Sequence, residues 1–213
     1  MKKIYSLLVI FIFLSFGVKS QNTINLFNGN DLTGWNCVVE NNNIPVSDVF
    51  FVRDGILTIS GQPFGYMYTT EKYGNYHLQV EWRWPLGKES NSGIFLFVED
   101  ILSPFPKCVE CQLMAGKAGD FVLINGSDLA EYKDQPNTPR PKFPVIPKAN
   151  PSSEKPAGEW NKADIYCYNG TVIVYINGIY QNKGTSNVKE GHIALQSEGD
   201  HIQFRNVTLT PLF

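Results

Sequence analysis

From Tyr76 to Trp84 the chain reads Y-H-L-Q-V-E-W-R-W, polar and apolar side chains in strict alternation. A repeat of two is the repeat of a β-strand, whose successive side chains point to opposite faces. His77, Gln79, Glu81 and Arg83 therefore share one face, and Leu78, Val80, Trp82 and Trp84 the other, which is plainly core. The same signal predicts strands over residues 50–52, 56–60, 68–70, 76–84, 93–98, 108–114, 164–168, 171–176, 191–196 and 202–210. Helical periodicity is scarce.

Asp54-Gly55 and Asn169-Gly170 each separate two such runs. Both dipeptides tolerate the positive φ angles of a two-residue hairpin turn. Many short strands in about 190 residues predict an all-β sandwich of two antiparallel sheets. One segment breaks the pattern. Residues 134–156 hold seven of the thirteen prolines, too many for a central strand. Strand patterns resume beyond it, so it reads as a long loop inside one domain (21–213), placed to form one wall of a site.

Two other strands carry the split seen at Tyr76. Cys108, Glu110 and Gln112 oppose Val109, Cys111 and Leu113; Ala194, Gln196 and Glu198 oppose Ile193 and Leu195. These polar faces favour carboxylates and amides, which suit sugar hydroxyls. The alternation also disposes of Cys108-x-x-Cys111 as a redox or zinc motif. Its cysteines project to opposite faces, no βαβ context surrounds them, and Cys37 and Cys167 stand alone. An exported protein would permit disulfides, but four cysteines allow three full pairings and leave the choice open.

Lys2 and Lys3 precede an apolar run over residues 4–16 and a Val18-Lys19-Ser20 cleavage site, the layout of a secretory signal. The run is short for a membrane span, and no later stretch reaches ~20 apolar residues. The mature chain is expected to start near Gln21 and to work outside the cytoplasm, periplasmic or extracellular, without stable membrane insertion. Residues 1–20 carry three lysines and no acid, so their removal moves the net charge from −2 to −5. That argues against a nucleic-acid partner. Abundant Trp, Tyr and Phe with scattered Asn and Gly suit a carbohydrate partner.

Familiar catalytic templates are missing. The chain has no G-x-S-x-G elbow, Walker loop or H-E-x-x-H, three histidines in all, and no E-x-D-x-E pair of a laminarinase-type sandwich.

One family does match. Leu26-Phe27-Asn28-Gly29-Asn30-Asp31-Leu32-Thr33-Gly34-Trp35 resembles the opening signature of the DUF1080 family, also called the 3-keto-disaccharide hydrolase domain. Asn91-Ser92-Gly93-Ile94-Phe95-Leu96, Glu110-x-Gln112, Lys155 to Asn161 (K-P-A-G-E-W-N), Asn177-Gly178 and Phe204-Arg205-Asn206-Val207 follow in family order. The resemblance implies a concanavalin-like jelly roll acting on glycosides whose C3 hydroxyl has been oxidised to a ketone. A C3 ketone acidifies the C2 proton, so a base can remove it, the C1 substituent can leave by elimination, and water can add back. Such a site needs a base, an oxyanion stabiliser and a proton donor.

On this resemblance the expected catalytic groups are Glu81 and Glu110 as candidate bases and Arg83 as the stabilising cation. His77, Asn91, Gln112, Gln196 and Glu198 are the expected substrate-binding groups. A competing reading makes Glu81 and Arg83 a cross-strand ion pair that only supports the sheet. Arg140 and Lys142 of the proline-rich loop read as solvated charges, and Trp35 and Trp160 as packing anchors. No cofactor is implied with certainty; converging Glu81, Glu110 and Glu198 would suit a divalent cation such as calcium. Two positions depart from the family pattern: Glu198 stands where members often have His, and Phe97 where they often have Arg. Two alternative functions on the same fold are a non-catalytic carbohydrate-binding module and an ordinary glycoside hydrolase, which needs two carboxyls about 5–10 Å apart.

Overall fold

A computed structural model describes residues 22–41 and 43–213; the segment read as a secretory signal lies outside the described residues. In chain order the first strands are β1 (Ile24–Asn25), β2 (Trp35–Val39), β3 (Phe50–Arg53), β4 (Ile56–Ile59) and β5 (Gly65–Thr69). Then come β6 (Tyr76–Arg83), β7 (Gly93–Val98), β8 (Cys108–Gln112), β9 (Phe121–Ile124) and β10 (Val145–Ile146). The last are β11 (Asn161–Tyr168), β12 (Thr171–Ile176), β13 (Ile179–Thr185), β14 (His192–Ser197) and β15 (Ile202–Pro211). A single turn of helix, Val46–Val49, precedes β3.

The strands form two antiparallel sheets. One runs β13-β12-β11-β6-β15-β4-β3, with β1 beside β15; the other runs β10-β9-β8-β7-β14-β5-β2. The fold is the expected all-β jelly-roll sandwich. Asp54-Gly55 and Asn169-Gly170 turn their hairpins with φ of +53°, +75°, +48° and +83°, the left-handed pair that a type I′ turn requires.

One seam between the sheets holds the main core. Leu78, Val80 and Trp82 of β6 enter it fully buried, while His77, Gln79, Glu81 and Arg83 stay partly exposed on the far side. Met67, Ile94, Leu96, Val109, Cys111, Phe121, Leu123, Ile193 and Leu195 fill it from the other sheet. Trp35 anchors the edge of this core, its indole N–H donating to the Leu26 carbonyl at 2.6 Å.

The pattern missed β1, β2, β9, β10 and β13, and for β9 and β13 the physical reason is plain. Phe121–Ile124 is buried on both faces, so its four apolar residues do not alternate. Ile179–Thr185 is polar, ends its sheet and carries a register shift against β12. Phe97 adopts φ +53° where the β7–β14 register shifts. Its ring lies in the main core at 2% exposure, so this departure from the family pattern is a packing matter.

Cys111 faces the main core, and Cys108 belongs to a smaller cluster on the outer face with Tyr66, Phe95, Val122 and Ile124. All four cysteines are free. Burial raises every one of the four thiols, that of Cys37 to about 11 and that of Cys167 to about 12. Protonated buried thiols are poor nucleophiles and poor metal ligands. Denatured protein should therefore titrate four thiols, and its mass should be identical with and without reductant; a two-dalton difference would show a disulfide.

Candidate functional site

The site begins with a missing side chain. On the outer face of the seven-stranded sheet, β7 lies between β8 and β14, and Gly93 pairs with Gln112. A Cβ at Gly93 would collide with Glu110 Oε1 and lie 2.7 Å from the Glu110 Cδ. The bare glycine thus makes the hollow into which the Glu110 carboxyl folds. Period two puts Gln112 beside it, and Gln196 of β14 and Glu198 just past that strand close the other side. Asn91, two residues before Gly93, completes a polar wall.

The opposite wall is apolar. Val122 and Ile124 project from β9, and Phe105 leans over from the 99–107 connection, edge-on to Phe95 at 6.3 Å. Val145, paired with Val122, brings the proline-rich loop alongside and carries Phe143 with it. The hollow between the walls measures ≈ 220 Å³.

The polar wall is under electrostatic stress. Glu110 is 3% exposed, and its Oε1 is buried without a hydrogen-bond partner. Burial, then the nearby Glu198, pushes its carboxyl well above the ordinary carboxylate range, which favours its neutral form. Glu198 is also raised by burial, but donors from Asn91 and Gln196 oppose the rise; the Gln196 amide reaches Oε2 at 2.7 Å. Asn91 Oδ1 and Gln196 Oε1 are left buried and unpartnered. Gln112 is fixed the other way: its Oε1 accepts from the Leu113 and Met114 amides, both at 2.9 Å, which turns its NH₂ toward the hollow. A hollow of equal volume between Phe97 and Val188 contains none of the described buried, unpartnered side-chain atoms.

Five of the expected site residues therefore come together: Asn91, Glu110, Gln112, Gln196 and Glu198. Glu81, Arg83 and His77 do not, and the expected shared face is corrected. They belong to β6 in the other sheet, whose outer side points away from Glu110. Glu81 accepts from Arg205 Nε at 2.7 Å across a paired position of β15. Arg83 Nε donates to Gln203 at 2.7 Å and its guanidinium covers Trp160 at 4.6 Å. Both side chains thus support the sheet, but the expected Glu81–Arg83 ion pair is corrected as well: the two share one strand, and Glu81 pairs across to Arg205 instead. His77 hydrogen-bonds Asp164 at 2.9 Å. Arg140 is bound by Asp128 and Asp134. Among the described residues no cationic side chain lines the hollow. Among the described residues no cluster of three or more His, Cys, Asp or Glu is placed to hold a metal.

Phe105, Val122, Ile124, Phe143 and Val145 escaped the sequence reading. Apolar residues carry no chemical flag; the one available signal was a phenylalanine and a valine within a proline-rich loop expected to wall a site.

Fold and hollow define a jelly-roll β-sandwich with a polar site on the outer face of one sheet. The chain belongs to the 3-keto-alpha-glucoside-1,2-lyase-like domain family, which it matches over residues 22–210. It is 25% identical over 243 aligned positions to a 3-keto-disaccharide hydrolase of Bacteroides thetaiotaomicron, covering 93% of this chain and 81% of that one. In fold it is similar to a proposed glycosyl hydrolase of Parabacteroides distasonis (TM-score 0.64, 20% identity, 90% and 94% of the two chains). It is also similar to the carbohydrate-binding module CBM66 of Bacillus subtilis (TM-score 0.56, 12% identity, 84% and 96%).

A folded-state pKa raised by burial means that Glu110 destabilises the fold as pH rises above the ordinary carboxylate range, and does not below it. Glu110→Gln should raise Tm at pH 8, by ~2–4 °C per kcal/mol relieved at this chain length, and leave it unchanged at pH 3. Thermal melts at the two pH values check this; equal shifts at both would contradict it.

Proposed function

We propose that the protein is an exported enzyme that cleaves 3-keto-glycosides by elimination at C1 followed by hydration. The observation that carries the reading is the convergence of Asn91 Oδ1, Glu110 Oε1 and Gln196 Oε1, all buried and unpartnered, on one hollow. Buried polar atoms without partners carry a desolvation cost of about 1–3 kcal/mol each, which sugar hydroxyls bound there would remove.

In this reading the two carboxyls divide the work by environment, as unequal pairs do. Glu198, raised by burial but less so than Glu110 because two amide donors oppose the rise, takes the C2 proton of the bound keto sugar. The C2–H electrons form the enolate, whose charge on O3 is met by hydrogen-bond donors such as the Gln112 NH₂. The enolate then restores the C3 carbonyl and forms a C1–C2 double bond, expelling the C1 oxygen. Neutral Glu110 protonates that leaving oxygen. In the second half Glu110 takes a proton from water adding at C1, and Glu198 returns its proton to C2. Both roles thus differ from those expected from sequence: Glu110, expected as a base, serves as acid, and Glu198, expected to bind substrate, serves as base. The apolar wall leaves room for the departing group and excludes water from the enolate. Export, read from Lys2, Lys3 and the apolar run after them, is part of the proposal, because a glycoside-degrading bacterium meets its substrate outside the cytoplasm.

Purified protein incubated with a 3-keto-β-glucoside or 3-keto-trehalose should release the aglycone or glucose. Glu198→Gln and Glu110→Gln should each slow release by about 10²–10⁴-fold, and Gly93→Ala should slow it by displacing Glu110. Glu81→Gln should act at the parent rate. Activity should fall in acid as Glu198 is protonated and in alkali as Glu110 ionises, with both limits above the range of ordinary carboxyls. Cleavage of unoxidised glucosides would favour an ordinary glycosidase, and retention without turnover a binding module.

A further inference from the structure

The outer face of the eight-stranded sheet is built as carefully as the hollow opposite. Register places Tyr180, Tyr175, Asp164, Gln79 and Thr208 in one cross-strand row over β13, β12, β11, β6 and β15. A second row puts Tyr166 beside His77. At ~4.8 Å between strands, the five-strand row spans roughly 19 Å. The aromatic rings are ordered against one another. Tyr166 stacks on His77 with centroids 4.1 Å apart and planes 3° apart, and meets Tyr175 edge-on at 6.1 Å; Tyr175 meets Tyr180 at 5.8 Å. His77, Tyr166 and Tyr175 line a shallow groove of ≈ 650 Å³, and Tyr180 extends the aromatic row beyond it. Tyr168, at its end, is 52% exposed, and Tyr166 and Tyr180 are 37% and 38% exposed.

The groove is not simply apolar. Asp164 sits at its centre with a side chain 17% exposed, accepting from His77 at 2.9 Å and Gln79 at 2.8 Å and pairing with Lys162 at 3.2 Å. Burial pushes the Asp164 carboxyl up, but the hydrogen bonds from Gln79, His77 and Lys162 outweigh it and hold it below its ordinary value. The centre is therefore an ion pair wrapped in hydrogen-bond donors and rimmed by tyrosines.

We propose that this groove is a second carbohydrate-binding surface, separate from the hollow at Glu110, and that it takes a neutral oligosaccharide. Three features select that occupant. A pyranose has C–H faces that pack on tyrosine rings and a rim of hydroxyls that can share the hydrogen bonds of Asp164, Gln79 and Lys162. A second copy of the chain, or another protein, would have to dehydrate that ion pair to bury the rings, which costs more than it returns. Charge favours a neutral ligand at the centre of the groove, because its carboxylate, Asp164, is already paired with Lys162. The inference does not rest on the catalytic reading, since no residue of the groove lines the hollow.

The test is a titration of the full mature chain with the neutral hexasaccharides of cellulose, laminarin and starch, followed by calorimetry and retention in affinity gels. At least one hexasaccharide should bind saturably in the parent protein. Tyr168→Ala, and Tyr166→Ala with Tyr168→Ala, should weaken it at least tenfold while circular dichroism and turnover of a small 3-keto-glucoside stay at parental values. Glu110→Gln should bind it as the parent does. No binding across the panel, binding unaffected by the tyrosine changes, or binding lost in Glu110→Gln would each overturn the proposal. So would self-association that the tyrosine changes abolish.

Discussion

Each long strand of this protein must commit its apolar face to the seam between two sheets. That constraint leaves two outer faces pointing in opposite directions, and a polar side chain's destination follows from the sheet to which its strand belongs. Glu110 on β8 and Glu81 on β6 carry equivalent sequence signatures, a carboxylate in an alternating strand. The seam sends one to the hollow beside Gln196 and the other to a cross-strand bond with Arg205. The separation of the carboxylates that line the hollow from those that support the sheet is thus a matter of topology, with β7 beside β14 in one sheet and β6 beside β15 in the other.

Within the hollow the governing quantity is desolvation. A carboxyl at 3% exposure, next to a second carboxyl and with an oxygen left unpaired, costs stability that a sheet would otherwise keep. The surroundings reduce that cost unequally. Glu198 has two amide donors, whereas Glu110 has apolar neighbours and the space above Gly93. Unequal relief is what drives two chemically identical groups toward different protonation states, and acid–base chemistry near neutral pH requires such a difference.

The opposite sheet solves another problem with the same tools. There the carboxylate, Asp164, is compensated by three partners, and the exposed groups are aromatic. An orphaned carboxyl in a small hollow suits reaction; a satisfied one among tyrosines suits contact without reaction. The two faces of the sandwich are accordingly polarised in chemistry as well as in direction.

Local rules were enough for much of this. Alternation set the in–out choice of Leu78, Val80, Trp82, Val109, Cys111, Ile193 and Leu195, and it placed Cys108 and Cys111 on opposite faces. Asp-Gly and Asn-Gly set two hairpins, because only certain residues accept their φ angles. Period two also kept Glu110 with Gln112 and Gln196 with Glu198. Local rules failed where burial on both faces erased the alternation, as at Phe121–Ile124, or where an edge strand was polar, as in Ile179–Thr185. What the sequence determined by itself was the face of each residue within its own strand, since that depends on neighbours one and two positions away. Which strands lie side by side, and therefore that Glu110 meets Glu198 while Glu81 meets Arg205, was decided by the tertiary structure, because strand order depends on packing between residues far apart in the chain, 124 positions for Glu81 and Arg205.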